Sequence, residues 1–128
     1  MVCQTLARRP QLIHDMVQLL VRLVASPGRV VDVVEALLAV MRPAQQARGC
    51  SFAGVYVSAN DSRHVVYVED WDDVGELRGQ FGTERFRRLL ELMEMAADRP
   101  DVEFRVVSDI HGLEYISSQL SNMEIHRV

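Results

Sequence analysis

Two hydrophobic periods alternate along the chain, and their order limits the folds that it can adopt. Four segments have the period of two that is typical of strands: residues 16–25, 51–58, 63–71 and 102–108. Apolar residues at the 3,4 spacing of a helical face recur in 30–41 and 86–97. The order strand, helix, strand, strand, helix, strand predicts an α+β fold, the ferredoxin-like βαββαβ arrangement, with two helices on one face of a four-stranded antiparallel sheet.

Local signals predict where the helices begin and end. Ser26 and Pro27 indicate a helix that starts there, as N-cap and first helical residue. Pro43 is expected to end or kink this helix. Thr83 is expected to cap the second long helix.

Apolar residues are expected on both faces of the sheet. On strands one to three they include Leu20, Phe52, Val66 and Val68, in addition to the residues that face the helices. One copy of the chain would then expose a large apolar surface, which soluble monomers rarely do. The sequence therefore predicts a homodimer in which the sheets of two copies pack face to face.

The length of 128 residues fits one domain, which at this size buries roughly two-thirds of the surface of its unfolded chain. We expect an N-terminal arm at 1–15, the folded domain at 16–110 and a C-terminal extension at 111–128. The extension is expected to contact the partner subunit or to extend an edge of the sheet.

Composition argues against several classes of function. The net charge of −4 disfavours nucleic-acid binding, which relies on a basic surface. All 14 basic residues are arginine, so no lysine can form a Schiff base. Cys3 and Cys50 have no disulfide-framework or metal-site spacing and indicate reduced thiols in the cytoplasm. Charged and polar residues interrupt the apolar stretch 12–25, which argues against an export signal or a membrane segment.

Five short features follow one another along residues 16–108. They are a Pro-Gly pair before the first helix, a Gly-Cys step after it, a V-Y-V strand, an E-D-W-D-D strand end, and a Phe followed by Leu-Leu in the last helix. In this order and spacing the chain resembles the antibiotic biosynthesis monooxygenase family of dimeric α+β barrels. The resemblance implies a small enzyme that oxidises electron-rich phenols or hydroquinones to quinones without flavin, metal or haem.

The resemblance also implies where a small aromatic substrate would lie. In such proteins it is held between the sheet and the helices, with a tryptophan of the third strand, here Trp71, in the wall. Alternation places Tyr67 and Glu69 on the same face as Trp71. We expect Trp71 as wall, Tyr67 as hydrogen-bond donor, and Glu69 or a histidine of the C-terminal extension as base. The residues expected to line the substrate pocket are Arg22, Phe86 and Leu90.

Each catalytic candidate also has a structural interpretation. Trp71 can close the core at a strand end, and Tyr67 can be a core phenol with one hydrogen bond. Glu69 can be a solvated carboxylate at a sheet edge, or it can pair with an arginine. Arg22 and Arg105 are candidates for that partner, but each can also point outward. The alternative function is therefore a non-catalytic dimeric module for small-molecule binding or assembly, and it predicts a well-packed interior beside Trp71.

The chain departs from the family pattern at several positions, and its histidines argue against a haem or metal site. Tyr67 stands where several quinol-oxidising members of the family have asparagine, and no histidine directly precedes Phe86 as it does in many relatives. No histidine lies between His64 and His111, so the axial ligand that haem-degrading relatives need is missing. The four histidines lack paired metal-ligand spacing. We therefore expect neither a cofactor nor a metal.

Overall fold

The structure is a computed structural model that describes residues 15–127, with the side chains of residues 15–124. Its strands are β1 (Met16–Val24), β2 (Cys50–Val57), β3 (His64–Trp71) and β4 (Asp101–Val107). Its helices are α1 (Val30–Gln46), α2 (Val74–Gln80), α3 (Glu84–Glu94) and α4 (Glu114–Arg127). The predicted arm at 1–15 lies outside the described residues except for Asp15.

The strands form one antiparallel sheet in the order β2-β3-β1-β4. Helices α1 and α3 cover one of its faces, as the predicted βαββαβ fold requires, and that prediction is confirmed. The main core lies between them and consists of Leu19, Val21, Leu23, Leu37, Val40, Val65, Tyr67, Phe86, Leu89 and Met93. Each aliphatic side chain that is fully removed from water there contributes roughly 1.5–3 kcal/mol.

Helix α1 begins later than predicted, and it does not end at Pro43. Residues 26–29 form a turn in which the Arg29 amide donates to the Ser26 carbonyl at 2.9 Å, and Gly28 has a φ of 79°. Because a left-handed residue cannot continue a helix, α1 begins after it, at Val30. At the other end α1 continues past Pro43, since Ala44 is fully buried and its packing supports the last turn.

The caps of α2 and α3 set the direction of the helices that follow β3. Asp73 caps α2 by accepting a hydrogen bond from the Gly75 amide at 2.7 Å. Thr83 caps α3, as predicted, by accepting one from the Phe86 amide at 3.4 Å. The first turn of α3 is thereby brought over the sheet.

The uncovered face of the sheet is apolar at one side. The Phe52 and Tyr56 rings lie over Gly54, where a Cβ would come within 2.9 and 3.1 Å of them. Val66 and Val68 of β3 lie opposite Tyr56 and Gly54 in the β2–β3 register. We call Phe52, Tyr56, Val66 and Val68 the apolar sheet patch.

Beside β4 the same face is charged. Arg22 Nη1 lies 3.0 Å from Asp101 Oδ2 and 3.5 Å from Glu103 Oε1, and Arg105 Nη2 lies 2.7 Å from Glu103 Oε1. The Arg105 guanidinium lowers the pKa of Glu103. The apolar part of this face is therefore limited to the side away from β4, because alternation in β4 turns Glu103 and Arg105 away from the helices.

The C-terminal extension forms the helix α4 and does not extend a sheet edge. All described residues from 108 to 124 are exposed. None of the helices in the described part of the chain is both long and apolar enough to cross a membrane.

Candidate functional site

A buried carboxylate lies at the centre of the candidate site. Tyr67, Glu69 and Trp71 occupy alternate positions of β3, so all three side chains point toward the helices, and all are fully buried. The Tyr67 hydroxyl donates to Glu69 Oε2, and Trp71 Nε1 donates to Glu69 Oε1 at 2.9 Å. The structure thus brings together the three residues expected from the sequence as the catalytic set.

Arg85 of α3 completes this group, and sequence reasoning missed it. Its Nη1 lies 2.5 Å from Glu69 Oε2, and its Nη2 lies 3.4 Å from Glu69 Oε1. Gln80 Oε1 accepts from Arg85 Nε at 3.2 Å and from Nη2 at 2.9 Å. We call Tyr67, Glu69, Trp71 and Arg85 the Glu69 cluster.

The other candidate partners of Glu69, Arg22 and Arg105, do not meet it, because both lie on the uncovered face. The signal for Arg85 was present in the sequence. Arg85 precedes Leu89 by four residues, so it occupies the apolar stripe of its helix. A charged residue in such a stripe needs a buried partner of opposite charge.

The two charges of the cluster are paired with each other, but this pairing mainly offsets the free-energy cost of burying them. Removing a carboxylate and a guanidinium from water costs several kcal/mol per ion, and their attraction offsets this cost only with good geometry and added hydrogen bonds. Here the carboxylate accepts from three side chains and the guanidinium is also held by Gln80. Because burying an ion pair in an apolar core costs free energy, such a pair is a candidate functional group.

Tyr67 is held as a protonated donor. Burial, followed by the charge of Glu69, raises the pKa of Tyr67 well above its usual value near 10. The folded chain therefore keeps the phenol proton at a pH where the unfolded chain releases it. The stabilisation is present below pH ~10 and is lost as the pH rises, at up to ~1.4 kcal/mol per pH unit.

Tyr67→Phe is expected to remove this alkaline loss of stability. The measurement is urea unfolding between pH 8 and 11.5, and the chain has no lysine to titrate in that range. Burial raises the pKa of the Cys50 thiol as well, so the parent and both tyrosine variants should carry Cys50→Ala. Tyr56→Phe, at an exposed tyrosine, is the matched control. Equal slopes in the Tyr67→Phe and parent proteins would contradict the assignment.

Trp71 is enclosed by its own small core. It packs with Val17 and Leu77 of α2. Gly49, at a φ of 89°, passes close to the indole: a Cβ there would lie 3.7 Å from Trp71 Cε3 and 3.0 Å from Glu76 Cβ. The indole therefore has no solvent-exposed surface in this structure.

An apolar groove of about 440 Å³ lies between α3 and β4. Its lining residues are Leu19, Phe86, Leu89, Leu90, Met93, Glu94, Pro100, Val102 and Phe104. We call it the α3–β4 groove. It contains Phe86 and Leu90, two of the three residues expected to line the substrate pocket.

The groove is one strand away from the Glu69 cluster. Leu19 of β1 pairs with Glu69 on one side and with Phe104 on the other, so Leu19 separates the carboxylate from the groove. Phe86 lies at the same boundary, with Arg85 Cζ 5.7 Å from the centre of its ring. Cluster and groove thus share the wall made by Leu19 and Phe86.

Arg22 does not line this groove. It lies on the uncovered face, because its neighbours Val21 and Leu23 are the β1 residues that point toward the helices. Arg22 therefore lies on the face opposite to the one where the substrate pocket is expected. Among the described residues, no group of three His, Cys, Asp or Glu side chains is placed to hold a metal.

Solved structures share this fold. PA3566 from Pseudomonas aeruginosa is 22% identical over 72% of this chain and 93% of its own, with a TM-score of 0.63. Rv0793 from Mycobacterium tuberculosis is 18% identical over 76% of this chain and 99% of its own, with a TM-score of 0.67. An antibiotic biosynthesis monooxygenase is 21% identical over 75% of this chain and 99% of its own, with a TM-score of 0.62.

At these identities the likeness shows the fold. The predicted resemblance to antibiotic biosynthesis monooxygenases is confirmed at that level. No protein-family profile matches the sequence, and no curated protein is similar to it at a significant level.

Proposed function

We propose that the chain is a homodimeric, cofactor-independent monooxygenase that oxidises a small electron-rich phenol, including the enol form of an anthrone, to a quinone. The observation that carries this proposal is the buried Glu69–Arg85 pair beside an apolar, aromatic-lined groove. The groove volume of about 440 Å³ is in the range of small-molecule sites. The fold shared with an antibiotic biosynthesis monooxygenase also supports the proposal.

The proposed reaction balances without an added reductant. The phenol loses its O–H proton, and the phenolate passes one electron to O₂, which gives a phenoxyl radical and superoxide. These combine at the ring carbon opposite the oxygen, and the peroxide formed takes up a proton. Its O–O bond then breaks as that carbon loses its hydrogen and water leaves. Phenol and O₂ therefore give quinone and water.

The groove suits a flat aromatic ring. Phe86 and Phe104 offer ring faces and edges, and Leu19 and Leu90 add aliphatic surface. Phe81 extends this aromatic surface, since its ring centre lies 5.0 Å from that of Phe86 and 5.9 Å from that of Phe104. Offset or edge-to-face contacts with such rings stabilise a bound aromatic beyond its area burial.

Arg85 is proposed to favour the phenolate. Its charge lies behind Phe86, and a positive charge near a bound phenol lowers the pKa of that phenol. Glu69 and Gln80 hold the guanidinium before substrate arrives, so no reorganisation is needed during the reaction. In this proposal Tyr67 and Trp71 fix the orientation of Glu69.

Glu94 is proposed as the acceptor of the substrate proton. Glu69 accepts hydrogen bonds from three side chains, which favours an electrostatic role over proton abstraction. Glu94 is an exposed carboxylate among the residues that line the groove. As a lining residue it lies next to a bound substrate, and a position within reach of the transferred proton is the first requirement of a general base.

Oxygen uptake by metal-free protein with a panel of hydroquinones, naphthols and anthrones tests this function. Glu94→Gln is expected to lower kcat by about 10²-fold, as for loss of a general base. Glu91→Gln, an exposed carboxylate on the same helix outside the groove, is the matched control.

Glu69→Gln and Trp71→Phe are also expected to lower kcat. Variants of Glu69, Trp71 and Glu94 that all retain full activity would refute the assignment.

A non-catalytic dimeric binding module is the second candidate. The observation that favours it is the enclosure of Trp71, Tyr67 and Glu69, which have no solvent-exposed surface. Native mass spectrometry of freshly purified protein separates the two candidates when read with oxygen uptake. A retained aromatic ligand without turnover of any panel compound supports the binding module.

The homodimer is proposed to form through the uncovered face of the sheet. The apolar sheet patch supports this arrangement, because exposed aromatic rings beside half-buried valines in one contiguous surface mark an interaction site. The charged side near β4 is already paired within one chain, so it can border the contact without unpaired charge.

A further inference from the structure

The first part of helix α4, with the residue before it, has an apolar stripe over residues 113–123. Leu113, just before the helix, and Ile116, Leu120 and Met123 within it recur at the 3,4,3 spacing of one helical face. Between 53% and 81% of each of these side chains is exposed. A single helix of about this length is marginal in water, so the stripe indicates a surface against which α4 packs.

The α3–β4 groove has an open side whose rim is apolar, like the stripe on α4. Its rim includes Leu90, Val102 and Phe104, which are 48%, 40% and 50% exposed. Along α3 the groove extends from Phe86 to Glu94, about 12 Å, and the α4 stripe from residue 113 to 123 is about 15 Å long. The helix is therefore long enough to lie along the whole groove.

We propose that α4 of a second copy of this chain lies across the α3–β4 groove and closes its open side. Each site is then completed by the partner's C-terminal helix, in two equivalent contacts related by one two-fold axis. The inference rests on the proposed function only in stating that the covered groove holds substrate.

The area of the sheet argues for a second copy as the source of the helix. Four strands spaced ~4.8 Å apart and about eight residues long give roughly 500 Å² of flat face per copy. A stable dimer buries ~800 Å² per partner, and part of this face is charged. Exchange of α4 adds apolar area to the contact between the two copies, whereas within one chain residues 108–124 all remain exposed.

The contact also explains how an open groove could serve oxygen chemistry. A helix across the rim removes water from around the bound phenolate and O₂. The reactive peroxide is thereby protected from water, which a groove open to solvent cannot do.

Disulfide trapping tests the contact in the full chain. In a background of Cys3→Ser and Cys50→Ala, one protein carries Leu90→Cys and a second carries Leu120→Cys. Both sites are about half exposed, so neither change disturbs the core. Mixing the two proteins under mild oxidation is expected to give a covalent pair containing one chain of each. The control replaces Leu120→Cys by Ser118→Cys, which lies on the opposite side of α4.

The double variant Leu90→Cys/Leu120→Cys identifies the source of the helix. A covalent dimer on a non-reducing gel is expected. A disulfide within one chain would show that α4 folds back on its own groove, and either this result or no disulfide overturns the proposal. Equal trapping by the Ser118→Cys control would do the same.

A second measurement uses the dimer itself. Ile116→Asp/Leu120→Asp is expected to shift the dimer dissociation midpoint to at least tenfold higher concentration in sedimentation velocity. Ser118→Asp/Asn122→Asp adds the same charge to the other face of α4 and is expected to leave it unchanged. If both variants behave alike, α4 does not contribute. Trapping without oxygen uptake leaves the docking intact and refutes the function, and the reverse result refutes the docking alone.

Discussion

Arg85→Met is expected to lower the free energy of unfolding by about 3–5 kcal/mol, because it leaves the fully buried Glu69 carboxylate without its positive partner. The hydrogen bonds from Tyr67 and Trp71 remain, but neither donor carries charge. Urea unfolding at pH 7 measures the effect. Arg87→Met, two residues along the same helix, removes a guanidinium from exposed pairs and is expected to change stability little.

The double variant Glu69→Gln/Arg85→Met separates charge from packing. The amide that replaces the carboxylate would still accept a hydrogen bond through its carbonyl oxygen, and no unpaired charge is left. The double variant is therefore expected to be more stable than Arg85→Met alone. This coupling is the signature of a buried pair. A double variant whose loss equals the sum of the two single losses would show that the two residues act independently.

Val68→Asp is expected to weaken the homodimer by at least about 10³-fold, or ~4 kcal/mol, because each copy would place an uncompensated carboxylate in the apolar sheet patch. In a two-fold contact both copies carry the change, so the two carboxylates also repel each other. Sedimentation velocity over a concentration series measures the dissociation constant.

Val31→Asp is the matched control for the sheet-face variant. It makes the same substitution on α1, at a valine that is already exposed and lies away from the sheet. It is expected to remain dimeric. A Val68→Asp protein that is folded and still dimeric at the lowest concentration would place the dimer contact elsewhere.

The four strands and the two helices that cover the sheet were predictable from the sequence, whereas helix α4 was not predicted. Alternation in β3 correctly put Tyr67, Glu69 and Trp71 on the helix-covered face, and Thr83 was correctly identified as the cap of α3. These features depend on each residue and its close neighbours along the chain. The same logic failed for Ser26 and Pro27, where Gly28 with its positive φ delayed the helix by three residues.

The partner of Glu69 was not predictable in the same way. Arg22 and Arg105 were reasonable candidates because they interrupt strands, yet both point away from the helices. Arg85 is 16 residues away in sequence and reaches Glu69 through the packing of α3 on the sheet. The α3–β4 groove likewise depends on β4 pairing with β1, which places Phe104 beside Leu19.

By itself the sequence determined the α+β class and which residues of a strand share a face, since the period of an apolar pattern is a local property of the backbone. Tertiary structure decided that Glu69 is buried, which guanidinium it meets, where the groove opens and how far the apolar face of the sheet extends. Those outcomes depend on strand register and helix docking, which join residues far apart in the chain and leave no periodic trace in it.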